Sequence, residues 1–399
     1  MPFDSAVQVK AVVLLVPDIA DPVTHRRTEA LKEAGCRVVV TGFCRGRFLN
    51  SDPPDGPIIA FGRTVDACYR HRFWALALAL LRMMKVRDRL RSAAAIYARN
   101  LDQLALALAI RTLLRSRAKI FYEVLDIQPM ASGSGLGSLL TRALERGALR
   151  WVDMLIVSSP AFHSEYFKRR LNYRGRWFLL ENKLPRSVQS IAPRVRTVDR
   201  WRENRGDRWI VGYFGFIRGQ ATFDLIVRLA RRLSHKVIFR FAGVLTSVDP
   251  LSFRRAVDEN DNIEFVGGYL NPVDLRSLHA EVDLVWAIDL ENTDGNSQWL
   301  MPCRFYEAGY FGVPCLAARE FEIGRTIAEL ECGWTFALPC EREIVEFFET
   351  RTPAEYRTKL NNLAAMPDSS FVYGPAADGL GLLVRGDLSC SRVTFSDGG

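Results

Sequence analysis

The segment QWLMPCRFYEAGYFGVPCLA, residues 298–317, sets an arginine and a glutamate three residues apart inside an otherwise apolar run. At that spacing Arg304 and Glu307 share one face of a helix. Pro302 suits the first helical position, where its missing N–H has no partner to lose. Gly312 and Pro314 stop the helix and launch the strand PCLAA. A helix N-terminus attracts anions, and Arg304 adds a fixed charge for a phosphate. Glu307, one turn on, is placed to accept two hydrogen bonds from a ribose diol. Gly309 leaves room for close packing against backbone. The competing reading is a solvated surface pair, which contributes only about 0.2–0.5 kcal/mol.

Other stretches carry chemistry of the same kind. In GFIRG, Gly215 and Gly219 let backbone amides approach a pyrophosphate, and Arg218 supplies a forked cationic contact. The loop DLENTDGNSQW holds Asp289, Asn296 and Ser297, the last two suited to sugar hydroxyls or a phosphate. The run KIFYEVLDIQPM takes a buried strand into a polar loop, which puts Asp126 at the strand's carboxyl end. A carboxylate there can deprotonate an attacking hydroxyl. Glu123 is a weaker candidate base, and His25, beside Asp18 and Asp21, is an alternative one. Each competes with a plain role: caps and turns for the aspartates and asparagine, solvation for the arginine.

The elements that must position these residues alternate. Continuous, β-branched strands are expected at 9–16, 37–43, 94–98, 119–124, 153–159 and 176–182, with helices at 24–34, 69–91, 101–117, 138–151 and 160–170. The pattern restarts with strands at 209–214, 236–242, 263–267, 282–288, 314–318 and 333–338. Helices are expected there at 222–233, 250–259, 271–280, 303–311, 322–330 and 341–348. Such alternation implies parallel sheets covered by helices. The fold class is α/β: two tandem Rossmann-like doubly wound domains facing across a cleft. Ligands in these sheets sit beyond the carboxyl ends of strands. The expected division is an acceptor-binding, membrane-facing domain over 1–182, a linker over 183–208, a donor-binding domain over 209–366 and a tail over 367–399.

Composition narrows the partners. The chain has 399 residues and a formal net charge of +9. Residues 1–181 hold 28 Lys+Arg against 16 Asp+Glu, a net of +12, and residues 182–399 hold 26 against 29, a net of −3. A polyanionic partner is therefore expected at the first half. The stretch YRHRFWALALALLRMMKVRDRLR, 69–91, flanks an apolar middle with cations; Arg70, Arg72, Trp74, Lys85 and Arg87 are its candidates for contact with an anionic membrane surface or a membrane-held acceptor. A core helix with a solvated basic end is the alternative. Nucleic acid is disfavoured, because aromatics and basics do not interleave as a stacking platform requires. No apolar run reaches the roughly 18–20 residues of a membrane span, and no signal peptide is expected at the N-terminus. The eight cysteines lack metal-type spacing and read as reduced thiols. The absence of an early GxGxxG argues against a dinucleotide-dependent dehydrogenase.

Taken in order, these stretches resemble the two-domain, GT-B-fold glycosyltransferases that use nucleotide-sugars, and most closely the bacterial exopolysaccharide enzymes of the succinoglycan type. Pro302, Arg304, Tyr306, Glu307, Gly312 and Pro314 follow a C-terminal stretch of that family, with Arg304 in place of a lysine. VGYFGFIRG, FRFAG, NIEFVGGY and HAEVDLVWAI follow its donor-domain strands. The resemblance spans most of residues 9–350. It implies that Glu307 holds the ribose and that Arg304 and Arg218 neutralise the diphosphate without a metal or other cofactor. It also implies transfer of a hexose, glucose by preference, from a UDP-sugar to a lipid-linked oligosaccharide, by a cytoplasmic enzyme on the inner face of the plasma membrane. Three departures stand out. Trp299 occupies the place of the family's first acid, Phe216 that of an arginine, and Leu125 that of a histidine before Asp126. The missing histidine favours inversion with Asp126 as base. A non-catalytic nucleotide-sugar or glycan binder is the alternative.

Overall fold

The computed structural model describes residues 11–44, 54–63, 79–194, 208–374 and 380. By compactness the chain divides into two units: one comprises Met1–Asp126, Ser134–Glu181 and Tyr373–Gly399, the other Ile127–Gly133 and Asn182–Val372.

Among the described residues of the first unit, seven strands form one parallel sheet: β1 (Ala11–Val16), β2 (Arg37–Cys44), β3 (Ile58–Arg63), β4 (Ala95–Arg99), β5 (Lys119–Val124), β6 (Met154–Val157) and β7 (Trp177–Leu179). Their order is β3-β2-β1-β4-β5-β6-β7. β1 and β4 are almost wholly buried, which is why their sequences read as unbroken apolar runs. Helices Pro22–Glu33, Leu101–Leu113 and Leu136–Leu149 fill crossovers, and Phe162–Lys168 is a π-helix. β3 was not expected from the sequence. The basic stretch at 69–91 is described from residue 79; it is helical over 79–85, turns at Val86, and resumes as Arg87–Arg91.

The second unit carries β8 (Trp209–Ile217), β9 (Val237–Leu245), β10 (Ile263–Phe265), β11 (Leu284–Trp286), β12 (Cys315–Ala318) and β13 (Gly333–Phe336). The order is β10-β9-β8-β11-β12-β13, again parallel. Both sheets are doubly wound: each reverses direction beside its first strand, between β1 and β4 and between β8 and β11. The α/β class expected from the alternation, two doubly wound parallel sheets in tandem, is the one observed.

Two local differences have physical causes. β8 runs three residues past its expected end, so Gly215 lies in a strand and not in a loop. It pairs with Gly243 of β9, where a Cβ would meet the Gly215 carbonyl oxygen at 1.9 Å. Two facing glycines let the pairing continue. The second difference is the unexpected helix Pro353–Ala365, closed by a capping box between Thr352 and Glu355.

The helix Cys303–Tyr310 starts one residue after Pro302, which is its N-cap. Gly309 on that helix faces an aromatic ring and not backbone: a Cβ there would lie 2.1 Å from Phe371, itself fully buried. Gly309→Ala is therefore expected to cost about 1–3 kcal/mol through overpacking, read as a lowered midpoint in urea. Unchanged stability would show that the Phe371 ring yields freely.

Candidate functional site

The reversal of strand order between β8 and β11 parts the loops leaving their carboxyl ends, and open α/β sheets bind ligands in the crevice so formed. In the second unit this place is built from three segments. The first is Arg218 and Gly219, which lead into the helix Gln220–Arg232 with Gly219 as N-cap. The second is the loop after β11, containing Asp289 and Glu291. The third is the start of the helix Cys303–Tyr310.

Arg304 lies directly at this reversal. Its Nη2 donates to the Phe216 carbonyl at 3.1 Å and its Nη1 to the Trp286 carbonyl at 3.3 Å, so one guanidinium ties the ends of β8 and β11 together. Its charged carbon sits 4.3 Å from the centre of the Tyr213 ring, a cation–π contact. Among the described residues no carboxylate comes within ion-pair distance of it. The partners it does have are carbonyls and a ring, which orient the cation without neutralising it.

Glu307, one turn along the same helix, is almost completely buried and accepts a hydrogen bond from Asn271 Nδ2 at 3.0 Å. A buried carboxylate is costly unless bonded in this way. Neither Arg304 nor Glu307 is turned to bulk solvent, so the bare surface pair is not what the sequence encodes.

Arg218 is clamped by acids. Its Nη2 lies 2.7 Å from Asp289 Oδ2, its Nε donates to the same oxygen at 2.9 Å, and Glu291 is 3.5 Å away. Burial alone would push the Asp289 carboxyl up. The Arg218 charge, the Glu291 N–H and the Arg304 charge outweigh it and hold Asp289 below its ordinary value. The result is an alternating Arg304–Asp289–Arg218 array at the sheet's switch point.

Asn296 and Ser297 organise the loop that carries Asp289. Asn296 Oδ1 accepts the Ile127 N–H at 2.7 Å, which fixes the start of the 127–133 segment within the same unit. The Ser297 hydroxyl accepts the Asn292 N–H at 3.1 Å. Both residues are buried.

In the first unit, Asp126 is half-buried two residues past the end of β5. Glu123 is fully buried in an ion pair with Arg27, which gives it a structural role. Asp21 caps the helix Pro22–Glu33 and pairs with Arg99, and His25 follows in the first turn. Lys85 and Arg87 are exposed; Arg70, Arg72 and Trp74 lie outside the described residues. Among the described residues no group of histidine, cysteine and acidic side chains is arranged to hold a metal ion, and no helix is long and apolar enough to cross a membrane. Sequence reasoning missed Asn271, Tyr213 and the pairing of Asp289 with Arg218. Each lies on a different element from its partner, and only the folded sheet brings them together.

The chain is 28% identical over 369 residues to the succinoglycan biosynthesis protein ExoL of Rhizobium meliloti, an alignment that takes in 91% of this chain and 90% of that protein. The Anabaena protein HepE, solved in complex with UDP-glucose, matches with a TM-score of 0.70 at 15% identity, over 95% of this chain and 100% of that one. WaaG, a glycosyltransferase involved in lipopolysaccharide biosynthesis, matches with a TM-score of 0.63 at 13% identity, over 94% and 100%. No family model matches the chain. Two doubly wound parallel sheets in one chain match those structures along nearly their whole length: the chain has the GT-B fold of glycosyltransferases and is a sequence relative of a succinoglycan biosynthesis protein.

Proposed function

We propose that this GT-B-fold protein is a glycosyltransferase of exopolysaccharide synthesis that moves a hexose, glucose by preference, from a UDP-sugar to a lipid-linked oligosaccharide. The observation that carries the reading is Arg304: a guanidinium at the β8/β11 reversal, oriented by two carbonyls and a tyrosine ring, with no carboxylate against it among the described residues. A diphosphate is the ligand such a cation suits. The helix Gln220–Arg232 begins beside it, and the free N–H groups of a helix N-terminus favour the same anion. Arg218 serves the diphosphate through the array it shares with Asp289. Glu307 takes the ribose diol, with Asn271 holding one carboxylate oxygen. Asn296 and Ser297 set the loop beside the transferred sugar.

In this reading the acceptor hydroxyl attacks the anomeric carbon while Asp126 takes its proton, and the carbon–oxygen bond to the diphosphate breaks with inversion. Asp126 stands one peptide bond before Ile127, whose N–H is fixed by Asn296. The departing diphosphate gains its negative charge next to Arg304 and Arg218, so the reaction needs no metal ion. The basic first half suits a peripheral position on the anionic inner face of the plasma membrane, where a lipid-linked acceptor is found, and no nucleic-acid role is assigned.

The test joins binding to turnover. UDP-glucose at a hundredfold excess over its dissociation constant stabilises the native state by about 2.7 kcal/mol, a readily measured rise in melting temperature that ADP- and GDP-sugars should not match. Donor turnover, assayed in EDTA, should fall by about 10²–10⁴-fold in Asp126→Asn, the range for loss of a general base. A thermal shift without any turnover, unaltered by Asp126→Asn, would identify a non-catalytic nucleotide-sugar binder instead.

A further inference from the structure

The helix Leu136–Leu149 is built inside out. Amphipathic helices on a globular protein turn their apolar stripe to the core. Here the residues facing inward are Ser138, Glu145 and Leu149, while Leu136, Leu139, Leu140 and Leu144 are 85%, 53%, 62% and 64% exposed. The inward carboxylate is well satisfied: Glu145 accepts from the Tyr122 hydroxyl at 2.7 Å and the Tyr166 hydroxyl at 2.5 Å. That pairing fixes the rotation of the helix about its axis, so the outward aim of the leucines is set by the fold. Trp151, just beyond the last turn, is 63% exposed and lies against the Arg111 guanidinium at 5.7 Å.

The charge around this face is mostly positive. Between Ile127 and Val152 the only acid is the buried Glu145, while Arg142, Arg146 and Arg150 climb one flank of the leucine stripe. Arg146 is steadied there by the Leu171 and Arg170 carbonyls. Beside Trp151 a groove is lined by Arg111, Arg117 and Lys119, and its acid, Asp153, lies 3.8 Å from the Arg111 guanidinium, leaving the groove a net positive charge. Leucines with an exposed tryptophan on one side and arginines along the edge are the make-up of a helix that lies in the headgroup plane of a bilayer. A second copy of the chain fits less well, since a two-fold contact would set identical arginine rows against each other.

We infer that the helix Leu136–Leu149, with Trp151, is the surface by which the protein lies on an anionic lipid bilayer. The inference rests on the membrane-surface part of the proposed function and places its contact on a different element from the 69–91 stretch. The leucines enter the headgroup–acyl boundary, and Arg142, Arg150 and the Arg111 groove meet lipid phosphates.

Vesicle sedimentation of the full chain tests it, with vesicles of phosphatidylcholine alone or mixed equally with phosphatidylglycerol. The wild type should sediment with the mixed vesicles, weakly with the neutral ones, and less as salt rises. Leu139→Gln with Leu144→Gln should lower the partition coefficient at least about tenfold, with the melting temperature and the UDP-glucose thermal shift unchanged, because both leucines are exposed. Wild-type protein that ignores mixed vesicles overturns the membrane reading as a whole. Wild-type binding that the leucine variant retains in full overturns the assignment to this helix alone. A concentration-dependent dimer that the variant abolishes, without vesicle binding, gives the face to a second copy and overturns the inference.

Discussion

On the proposed function, Arg304→Ala is expected to lower kcat/KM for UDP-glucose by about 10²–10³-fold, the range for removing one preorganised group aimed at developing charge. The guanidinium is held by the Phe216 and Trp286 carbonyls and the Tyr213 ring, so in the proposed transfer it needs no reorganisation as the diphosphate leaves. The alanine variant also strips two carbonyls of a partner, at about 1–3 kcal/mol for each one left unsatisfied, so a lower melting temperature accompanies the loss. Arg304→Lys separates the two effects. It keeps the charge but cannot fork between β8 and β11, and it should recover part of the rate without the full positioning. Wild-type kcat/KM in Arg304→Ala, measured with saturating acceptor, would remove the diphosphate role.

Glu123→Ala is expected to destabilise the first unit by about 3–5 kcal/mol, because it leaves a buried guanidinium without its anion. Glu123 and Arg27 are both fully enclosed. Arg27 also donates to the Leu180 carbonyl at 3.0 Å and to the Tyr373 hydroxyl, so it cannot swing out to water when the carboxylate goes. Burial alone would lower its pKa; Glu123 and neighbouring tyrosines outweigh this and raise it, which keeps the charge in place. Replacing both partners together, Arg27→Met with Glu123→Leu, should cost far less than either single change, since no orphaned charge remains. The check is urea unfolding of the three variants. Equal losses in the single and double variants would mean that packing, and not charge, sets the penalty.

Much of the architecture was legible in the sequence, because strands buried on both faces leave long apolar runs such as AVVLLV and KIFYEV. Short or interrupted strands were harder. β3 is six residues beside a proline-rich stretch, and β8 was cut short at Gly215 because a glycine ordinarily signals a turn. Its continuation depends on Gly243 in another strand, which no local window contains. The helix Pro353–Ala365 did carry its signal, Thr-Pro-Ala-Glu, a capping box with proline at the first helical position. In the site, spacing alone put Arg304 and Glu307 on one helical face. Asn271 carried no comparable mark, and Asp289, marked by its place at a strand's end, gave no sign of Arg218, since these residues meet Glu307 and Arg218 only through the order of strands. A helix was expected at 138–151 from the alternation of elements; its orientation was decided by Glu145 meeting tyrosines on β5 and the π-helix.

The path of the backbone has a consequence for how such a protein can be taken apart. The second compact unit claims residues 127–133 from the middle of the first, and the first reclaims the chain from Tyr373 onward. A gene cut at residue 182 would yield one fragment without the hydroxyl that Arg27 uses and another whose Asn296 has lost the Ile127 N–H. An exchange of units between relatives should therefore carry residues 127–133 with the second unit and the chain from Tyr373 with the first, which takes more than one junction.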